Sequence, residues 1–269
     1  MTYGRQVPAV EQTTRVLYHL AFAPSGEATL TQICRAVGIH MSKGHAILAT
    51  LRSAGLVLRT DPAKTYSLGP GVLTLARSLL DRTGLATAAE PYLAELAAAT
   101  DCTALLGLIT AGQVFIVARR EAPAAAIGVT IRVGHRYPLT WGAHGQVIAA
   151  FLPPERRAEV SVATTERSAE ADAAAAEEPA RAGLSQLGGP SAADLDEIRR
   201  RGFAVDIGGM QAGVSAVSAP VLDARGEPTA VLILVGTFPA DLADAHGPRA
   251  AAAARGMSGP LAPYLEAGS

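Results

Sequence analysis

The sequence has few cysteines, few aromatic residues and few charges for its 269 residues. Its two cysteines, Cys34 and Cys102, are poor evidence for a disulfide framework, so we expect a reducing, cytoplasmic environment. Aromatic residues make up 4% and charged residues 17% of the chain, whereas hydrophobic residues reach 49%. This balance excludes a disordered chain and indicates about two globular domains built mainly from Ala, Val and Leu.

Long apolar runs are also missing. The longest stretches without a charge, Cys102–Ala118 and Tyr137–Pro154, are interrupted by Gly, and the second also by Pro and His. Neither resembles the continuous span of roughly 20 apolar residues that a bilayer requires. The N-terminus likewise lacks the apolar segment of a secretory signal. We therefore expect a cytoplasmic protein without a membrane partner.

Positive charge is concentrated in the first 83 residues. This part contains nine Lys and Arg residues and four Asp and Glu residues, whereas the rest of the chain has an acidic excess. Both lysines of the chain, Lys43 and Lys64, fall in the basic part. Such an asymmetry is expected when the first part contacts a polyanion and the second does not. An accident of surface charge is the competing explanation.

The first 69 residues have the pattern of a winged helix-turn-helix. Apolar residues at helical spacing predict a helix over Glu11–Ala21. Thr31 is the expected N-cap of a short helix, Gln32–Val37, and Ser42 that of the helix after it. Gly38 is expected to form the tight turn between these two helices.

A hairpin and a connecting helix are expected next. Leu56–Thr60 and Thr65–Leu68 are short strand-like runs around a turn-rich tip that carries Lys64, which is the pattern of a wing. Pro70–Arg82 has an apolar stripe that predicts a linker helix. The predicted boundaries are residues 1–69 for the winged helix-turn-helix, 70–84 for the linker and 85–269 for the larger second domain.

The larger part is predicted to be α+β, with a sheet faced by helices. Helices are expected at Ala86–Thr100, Gly145–Leu152 and His246–Leu265, and from a cap formed by Ser191 and Asp194 to about Arg201. The strand candidates are Thr103–Ile109, Val114–Arg120, Ile127–Val133, Phe203–Ile207, Ser215–Leu222 and Thr229–Gly236. Residues 164–190 are rich in Ala, Glu and Gly and are expected to form a surface helix or loop.

The helix near Ser42 has one apolar face and one slim polar face. Ile47, Leu48 and Leu51 are expected to point to the core, with Gly44 allowing close packing. The outer face combines small side chains and hydroxyls with cations, as a helix that enters the major groove of DNA requires. The candidate DNA contacts are Ser42, Lys43, His45, Ala46, Thr50 and Arg52 on this helix, Arg35 before it and Lys64 on the wing. A helical hairpin with an exposed polar side is the competing interpretation.

Short motifs in a fixed order are spread over almost the whole chain. They are the N-terminal pattern Val10–Leu68 with Tyr66-Ser67-Leu68-Gly69, the run Arg201-Gly202-Phe203-Ala204-Val205-Asp206, Gly213, and Ala219-Pro220-Val221-Leu222-Asp223. This arrangement resembles the isocitrate-lyase-regulator (IclR) family of bacterial transcription factors. The resemblance implies a winged helix-turn-helix, a linker helix and a C-terminal GAF-like α/β effector-binding domain. It also implies homodimers or dimers of dimers on palindromic double-stranded DNA operators, more often as repressors.

The predicted groove helix departs from the family pattern at its start. Where family members usually carry a Lys-Ser-Thr-x-x-Arg-like run, this sequence has Met41-Ser42-Lys43-Gly44-His45-Ala46. Two cationic positions are therefore neutral, and Lys43 and His45 are expected to compensate in part. Gly44 inside a helix costs up to about 1 kcal/mol relative to alanine, a cost that DNA binding or close packing would offset.

The resemblance also implies a small-molecule pocket between Pro138–Gly145 and the last three strands. The matching residues of this chain are Leu139, Trp141, Gly142, Ala143, His144, Asp206, Ala216, Ile233 and Val235. The family often has a cysteine near the position of Ala216 and serines on the last strand that hold a carboxylate, whereas these places are apolar here. A buried charge without partners would cost several kcal/mol, so we expect a larger, more apolar or aromatic effector.

Purely structural roles for these residues also remain open at this point. Trp141 is equally consistent with core packing, His144 with a hydrogen-bonded residue at a helix start and Asp206 with bonds to turn amides. The sequence has no motif of a serine hydrolase, a zinc protease or a phosphate-binding loop, so we expect no enzyme activity, no cofactor and no metal. The alternatives to a regulator are a sensor that does not bind DNA and an enzyme built on the GAF-like domain.

Overall fold

The structure, a computed structural model, describes residues 7–82, 84–110, 112–122, 131–158, 160 and 190–265. The described chain divides into two compact units, one up to Arg82 and one from Gly84 onward. None of the helices in these ranges is long and apolar enough to cross a membrane. The expected surface segment 164–190 lies outside the described residues except for Pro190, and so do residues 127–130 of the expected strand Ile127–Val133.

The first unit has four helices and three short strands among its described residues. They are α1 (Pro8–Phe22), β1 (Glu27–Thr29), α2 (Leu30–Val37), α3 (Met41–Ser53), β2 (Val57–Thr60), β3 (Thr65–Leu68) and α4 (Gly71–Arg82). The strands form an antiparallel sheet in the order β1-β3-β2. A small core joins α1, α2 and α3 to this sheet, because apolar side chains such as Val16, Ile33 and Leu48 are almost fully buried in one cluster.

The starts of α2 and α3 correct two predicted caps. Thr29, rather than Thr31, caps α2: its hydroxyl accepts a hydrogen bond from the backbone N–H of Gln32, whose side chain accepts one from the Thr29 N–H. This reciprocal pair satisfies two backbone donors that the helix itself leaves free. His40 is the N-cap of α3 and makes no side-chain cap bond, so Ser42 lies within the first turn instead of before it.

The second unit is a mixed α/β structure. Its elements are α5 (Leu85–Thr100), β4 (Thr103–Thr110), β5 (Gln113–Arg120), β6 (Arg136–Pro138), α6 (Gly142–Phe151), α7 (Ala192–Arg201), β7 (Ala204–Ile207), β8 (Ser215–Leu222), β9 (Pro228–Gly236) and α8 (Ala240–Leu265). The six strands form one antiparallel sheet in the order β6-β5-β4-β9-β8-β7.

Two apolar clusters cover the two faces of this sheet. One combines side chains of α5 and α8 with the sheet, and the other combines those of α6 and α7 with it. Strand β8 contributes to both, because successive side chains of a strand point to opposite faces. Val217 and Ala219 belong to the α5–α8 cluster, whereas Ala216 packs against the α6–α7 cluster.

Several predicted boundaries need correction. Helix α6 begins at Gly142 instead of Gly145, since Trp141 is its extended N-cap and the Gly145 N–H already bonds to the Trp141 carbonyl. Ile131–Val133 is not a strand. The predicted cap of α7 is confirmed, because Ser191 and Asp194 form a capping box.

Candidate DNA-binding surface and effector site

The polar face of α3 points to solvent. Leu48 and Leu51 are buried together with Gly44, as predicted, whereas Ile47 is half-buried and packs against the same core. The structure leaves all eight candidate DNA contacts exposed, namely Arg35, Ser42, Lys43, His45, Ala46, Thr50, Arg52 and Lys64. Lys43 and Arg52 form no ion pair with the residues that the structure describes, so both charges stay available to a ligand.

The hydroxyl of Thr50 is partly used within α3. It donates to the carbonyl oxygen of Ala46 at 3.0 Å. A hydroxyl oxygen has two lone pairs, so this bond leaves Thr50 able to accept but not to donate. We therefore expect Thr50 to contact a base edge as an acceptor or through its methyl group.

Gly44 lies where α3 packs closely against α2. A Cβ at this position would overlap Sγ of Cys34 and would lie 3.3 Å from Cδ1 of Leu30. The Cys34 side chain is itself buried, and burial raises the pKa of its thiol. Close packing between the two helices is therefore a sufficient reason for glycine here.

The tip of the β2–β3 hairpin carries Lys64. This residue is exposed and has a φ of 55°, in the left-handed region that a turn between two strands can require. Arg59, on β2, pairs instead with Asp61 at 3.2 Å. Lys64 is thus presented at the end of the hairpin, apart from the buried side of α3.

In the second unit, the candidate effector residues of the sheet lie on one face. Asp206 on β7 pairs in register with Ala216 on β8, which in turn pairs with Val235 on β9. Ile233 lies two residues from Val235 and therefore on the same face. Ala216, Ile233 and Val235 share one apolar cluster with Leu139, which precedes α6, and with Ala143 from the start of α6.

The first residue of α6 is close to the carboxylate of Asp206. Gly142 has a φ of 49°, and a Cβ there would lie 2.9 Å from Oδ2 of Asp206 and would overlap Sδ of Met210. Oδ1 of Asp206 accepts a hydrogen bond from the Gly209 N–H at 2.7 Å. The turn-amide interpretation therefore describes Oδ1, whereas Oδ2 faces the start of α6.

His144 is a buried, hydrogen-bonded residue of α6 at this site. Its ring is buried, and Nε2 lies 3.0 Å from the Pro138 carbonyl oxygen, to which it donates. The ring centroid is 6.0 Å from that of Tyr137. Burial lowers the pKa of His144 to about 4, so it is neutral at physiological pH. Trp141, the N-cap of α6, is half-buried.

Some residues of this region escaped the sequence analysis. Met210 and Gly209 lie beside Asp206, and Ser218 stands on the same face of β8 as Ala216. The period of two along β8 gives the orientation of Ser218, but its burial and bonding depend on the tertiary structure. Among the described residues, no group of three or more His, Cys, Asp or Glu residues is arranged to hold a metal ion.

Residues 77–255 match the family model described as the bacterial transcriptional regulator IclR C-terminal domain. The chain belongs to the IclR family. Its curated relatives are transcriptional regulators, so this IclR protein is a transcriptional regulator and not an enzyme. The resemblance inferred from the short motifs is thereby confirmed.

Individual relatives support this assignment over most of the chain. The glycerol operon regulatory protein of Streptomyces griseus is 31% identical over 82% of both chains. A solved IclR transcriptional regulator from Alicyclobacillus acidocaldarius is 24% identical, covers 95% of this chain and 99% of its own, and has a TM-score of 0.72. An IclR homologue complexed with 4-hydroxybenzoate, from Microbacterium hydrocarbonoxydans, is 19% identical with a TM-score of 0.65, covering 94% of this chain and 98% of its own.

Proposed function

We propose that residues 1–69 form a winged helix-turn-helix that binds a palindromic DNA operator through α3. The observation that carries this proposal is the face of α3, where Lys43 and Arg52 form no ion pair with a described residue and lie among small and hydroxyl side chains. Such a face fits the major groove, and Lys64 at the hairpin tip is suited to a phosphate or the minor groove. Residues 70–84 then serve as the linker and residues 85–269 as the effector-binding and oligomerisation domain.

The effector site that we propose lies between the start of α6 and strands β7–β9. Its floor is apolar at Ala216, Ile233 and Val235, and Trp141 stands half-buried at the start of α6. Such a floor favours a fairly apolar or aromatic metabolite. The complex of the Microbacterium homologue with 4-hydroxybenzoate supports an aromatic compound as the first to try.

Regulation follows from linkage between the two sites. An effector that favours one relative arrangement of two DNA-binding domains changes the affinity for paired half-sites by the coupling free energy, typically about 1–3 kcal/mol. Two copies are needed to read a palindrome, and the exposed apolar side chains of Leu73 and Leu75 on α4 favour a homo-oligomer. We favour a repressor, which is the commoner mode in the family.

The direct test is fluorescence anisotropy of the full chain with DNA from its own upstream region and with scrambled DNA, at two salt concentrations. Tight, salt-sensitive binding that prefers the upstream fragment is the expected result. Equal and weak binding to both fragments would contradict a sequence-specific regulator and favour a sensor that does not bind DNA.

A further inference from the structure

Ser218 carries a hydroxyl group whose burial is unexplained by the fold. The residue is 0% exposed, and its Oγ has no hydrogen-bond partner among the described residues. Its register partners are the apolar residues Ala204 and Ile233. Folded proteins pair nearly all buried polar atoms with protein, water or ligand. An atom that could bond to this hydroxyl is therefore expected to come from outside the described residues.

The position of Ser218 places this hydroxyl at the candidate effector site. Ser218 is two residues from Ala216 on β8, so both side chains point to the α6 face of the sheet. Ala216 pairs with Asp206 on the neighbouring strand, which makes Ser218 the diagonal neighbour of Asp206. Diagonal neighbours on adjacent antiparallel strands lie roughly 7–8 Å apart. Ala216 on β8 and Ala204 on β7 are the other two residues of this group of four.

The hydrogen-bonding capacities of Asp206 and Ser218 limit which ligand group can bind between them. Asp206 accepts hydrogen bonds and has used Oδ1 on the Gly209 N–H, which leaves Oδ2 as an acceptor. The hydroxyl of Ser218 can donate or accept. A ligand carboxylate at this point would meet the negative charge of Asp206 in an apolar setting, which is unfavourable. An uncharged hydroxyl group of the ligand matches both side chains, because it can donate to Oδ2 of Asp206 and accept from the hydroxyl of Ser218.

We propose that Ser218 binds an uncharged hydroxyl group of the effector beside Asp206, and thereby selects hydroxylated ligands over analogues that lack this group. The inference rests on the proposed function, in which this face of the sheet holds the effector. Ser218 acts as a specificity residue: the apolar floor of Ala216, Ile233 and Val235 contacts the body of the ligand, and Ser218 contacts its hydroxyl group.

The test compares 4-hydroxybenzoate with benzoate, which differ only in the hydroxyl group, by isothermal titration calorimetry on the full chain. The parent protein is expected to bind 4-hydroxybenzoate about tenfold more tightly than benzoate. In Ser218→Ala this preference is expected to fall to about threefold or less, with the affinity for benzoate unchanged. Because Ser218→Ala removes an unpaired buried hydroxyl, its thermal midpoint is expected to equal or exceed that of the parent.

Ser215→Ala is the matched control on the same strand. Ser215 is also buried, but its hydroxyl donates to the Phe238 carbonyl oxygen at 2.6 Å. This variant is expected to lose thermal stability and to keep the preference for 4-hydroxybenzoate. A parent protein that binds both compounds equally, or neither of them, would overturn the inference. So would a Ser218→Ala variant that keeps the full preference.

The same samples separate this inference from the proposed function. Anisotropy with the upstream DNA fragment, recorded without either compound, tests DNA binding alone. Sequence-specific DNA binding without discrimination between the two compounds overturns only the role of Ser218. Loss of sequence-specific DNA binding in the parent overturns the proposed function itself.

Discussion

Lys43 is the single residue on which the proposed DNA contact can be tested most directly. It is exposed on α3 and has no counter-charge among the described residues. If it contacts a phosphate, Lys43→Ala weakens binding similarly across DNA sequences and lowers the slope of log affinity against log salt by about one. Fluorescence anisotropy over a series of salt concentrations measures both. Arg225→Ala, in the exposed β8–β9 turn, is the control, and parental binding by Lys43→Ala would contradict the groove-helix assignment.

Buried histidines make the stability of the second unit depend on pH. Burial lowers the pKa of His144 to about 4 and lowers that of His246 as well. An unfolded histidine titrates near 6.5, so below that pH the unfolded state takes up a proton that the folded state refuses. Stability is therefore complete above about pH 6.5 and falls as the pH decreases toward 4. For His144 the expected loss between pH 7 and pH 5 is about 2 kcal/mol.

Urea unfolding at pH 7 and pH 5 measures this loss. His144→Gln keeps an amide that can donate to the Pro138 carbonyl but has no group that titrates in this range. The variant is expected to lose about 2 kcal/mol less than the parent between the two pH values. An equal loss in both proteins would show that His144 takes up its proton in the folded state as readily as in the unfolded chain.

At the level of secondary-structure elements, long helices and strands can be predicted from the sequence, whereas three-residue strands cannot. The hairpin β4–β5 and strands β7–β9 follow from short, mostly apolar runs separated by turn residues, and the capping box of Ser191 and Asp194 marks the start of α7. The three-residue strands β1 and β6 could not be predicted, because they exist only through pairing with β3 and β5. Thr29 was missed as a cap because its partner Gln32 resembled an ordinary helical residue.

The contact between α2 and α3 predicts an unusual response to a helix-favouring substitution. Gly44→Ala would gain up to about 1 kcal/mol of helix propensity, but its Cβ would overlap Sγ of Cys34. Overpacking of this kind typically costs about 1–3 kcal/mol, so the first unit is expected to lose stability. Differential scanning calorimetry of the full chain measures the change.

Two further variants separate overpacking from other causes. Ala49→Gly is the matched control, since Ala49 is exposed on the same helix; it is expected to lose up to about 1 kcal/mol, which measures the helix propensity that Gly44→Ala would gain without the overlap. Adding Cys34→Ala to Gly44→Ala removes the overlapping sulfur, so the double variant is expected to be less destabilised than the sum of the single variants. Additive losses would contradict direct packing between the two positions.

For the whole molecule, the sequence indicated which regions form the two candidate sites, but it did not indicate which polar groups in them are buried without a hydrogen-bond partner. Charge asymmetry and motif order indicated a basic DNA-binding part and an effector-binding part, and the family resemblance pointed to Asp206, Ala216 and Val235, which the register of β7–β9 brings together. Ser218 was missed because a serine in a strand signals nothing until its hydroxyl is known to be buried without a partner. Burial and pairing are properties of the folded chain and have no local sequence pattern.

Coupling between the proposed DNA-binding and effector sites gives the last prediction. If 4-hydroxybenzoate and DNA bind with different affinities to two arrangements, a saturating concentration of the compound changes the DNA affinity by about 5- to 150-fold. Linkage then requires that saturating DNA change the affinity for the compound by the same factor. Anisotropy with and without the compound, and calorimetry with and without DNA, measure the two factors independently.

Trp141→Ala tests whether this coupling runs through the proposed pocket. Trp141 is half-buried at the start of α6 and belongs to the second unit, whereas the face of α3 that we propose contacts DNA belongs to the first unit. The variant is therefore expected to keep the DNA affinity of the parent while the effect of 4-hydroxybenzoate on that affinity shrinks. Lys43→Ala has the opposite expected profile, since it weakens DNA binding but leaves the affinity for the compound intact. If Trp141→Ala kept the full response to the compound, the effector would have to bind elsewhere, and the apolar face of β8 and β9 would lose its proposed role.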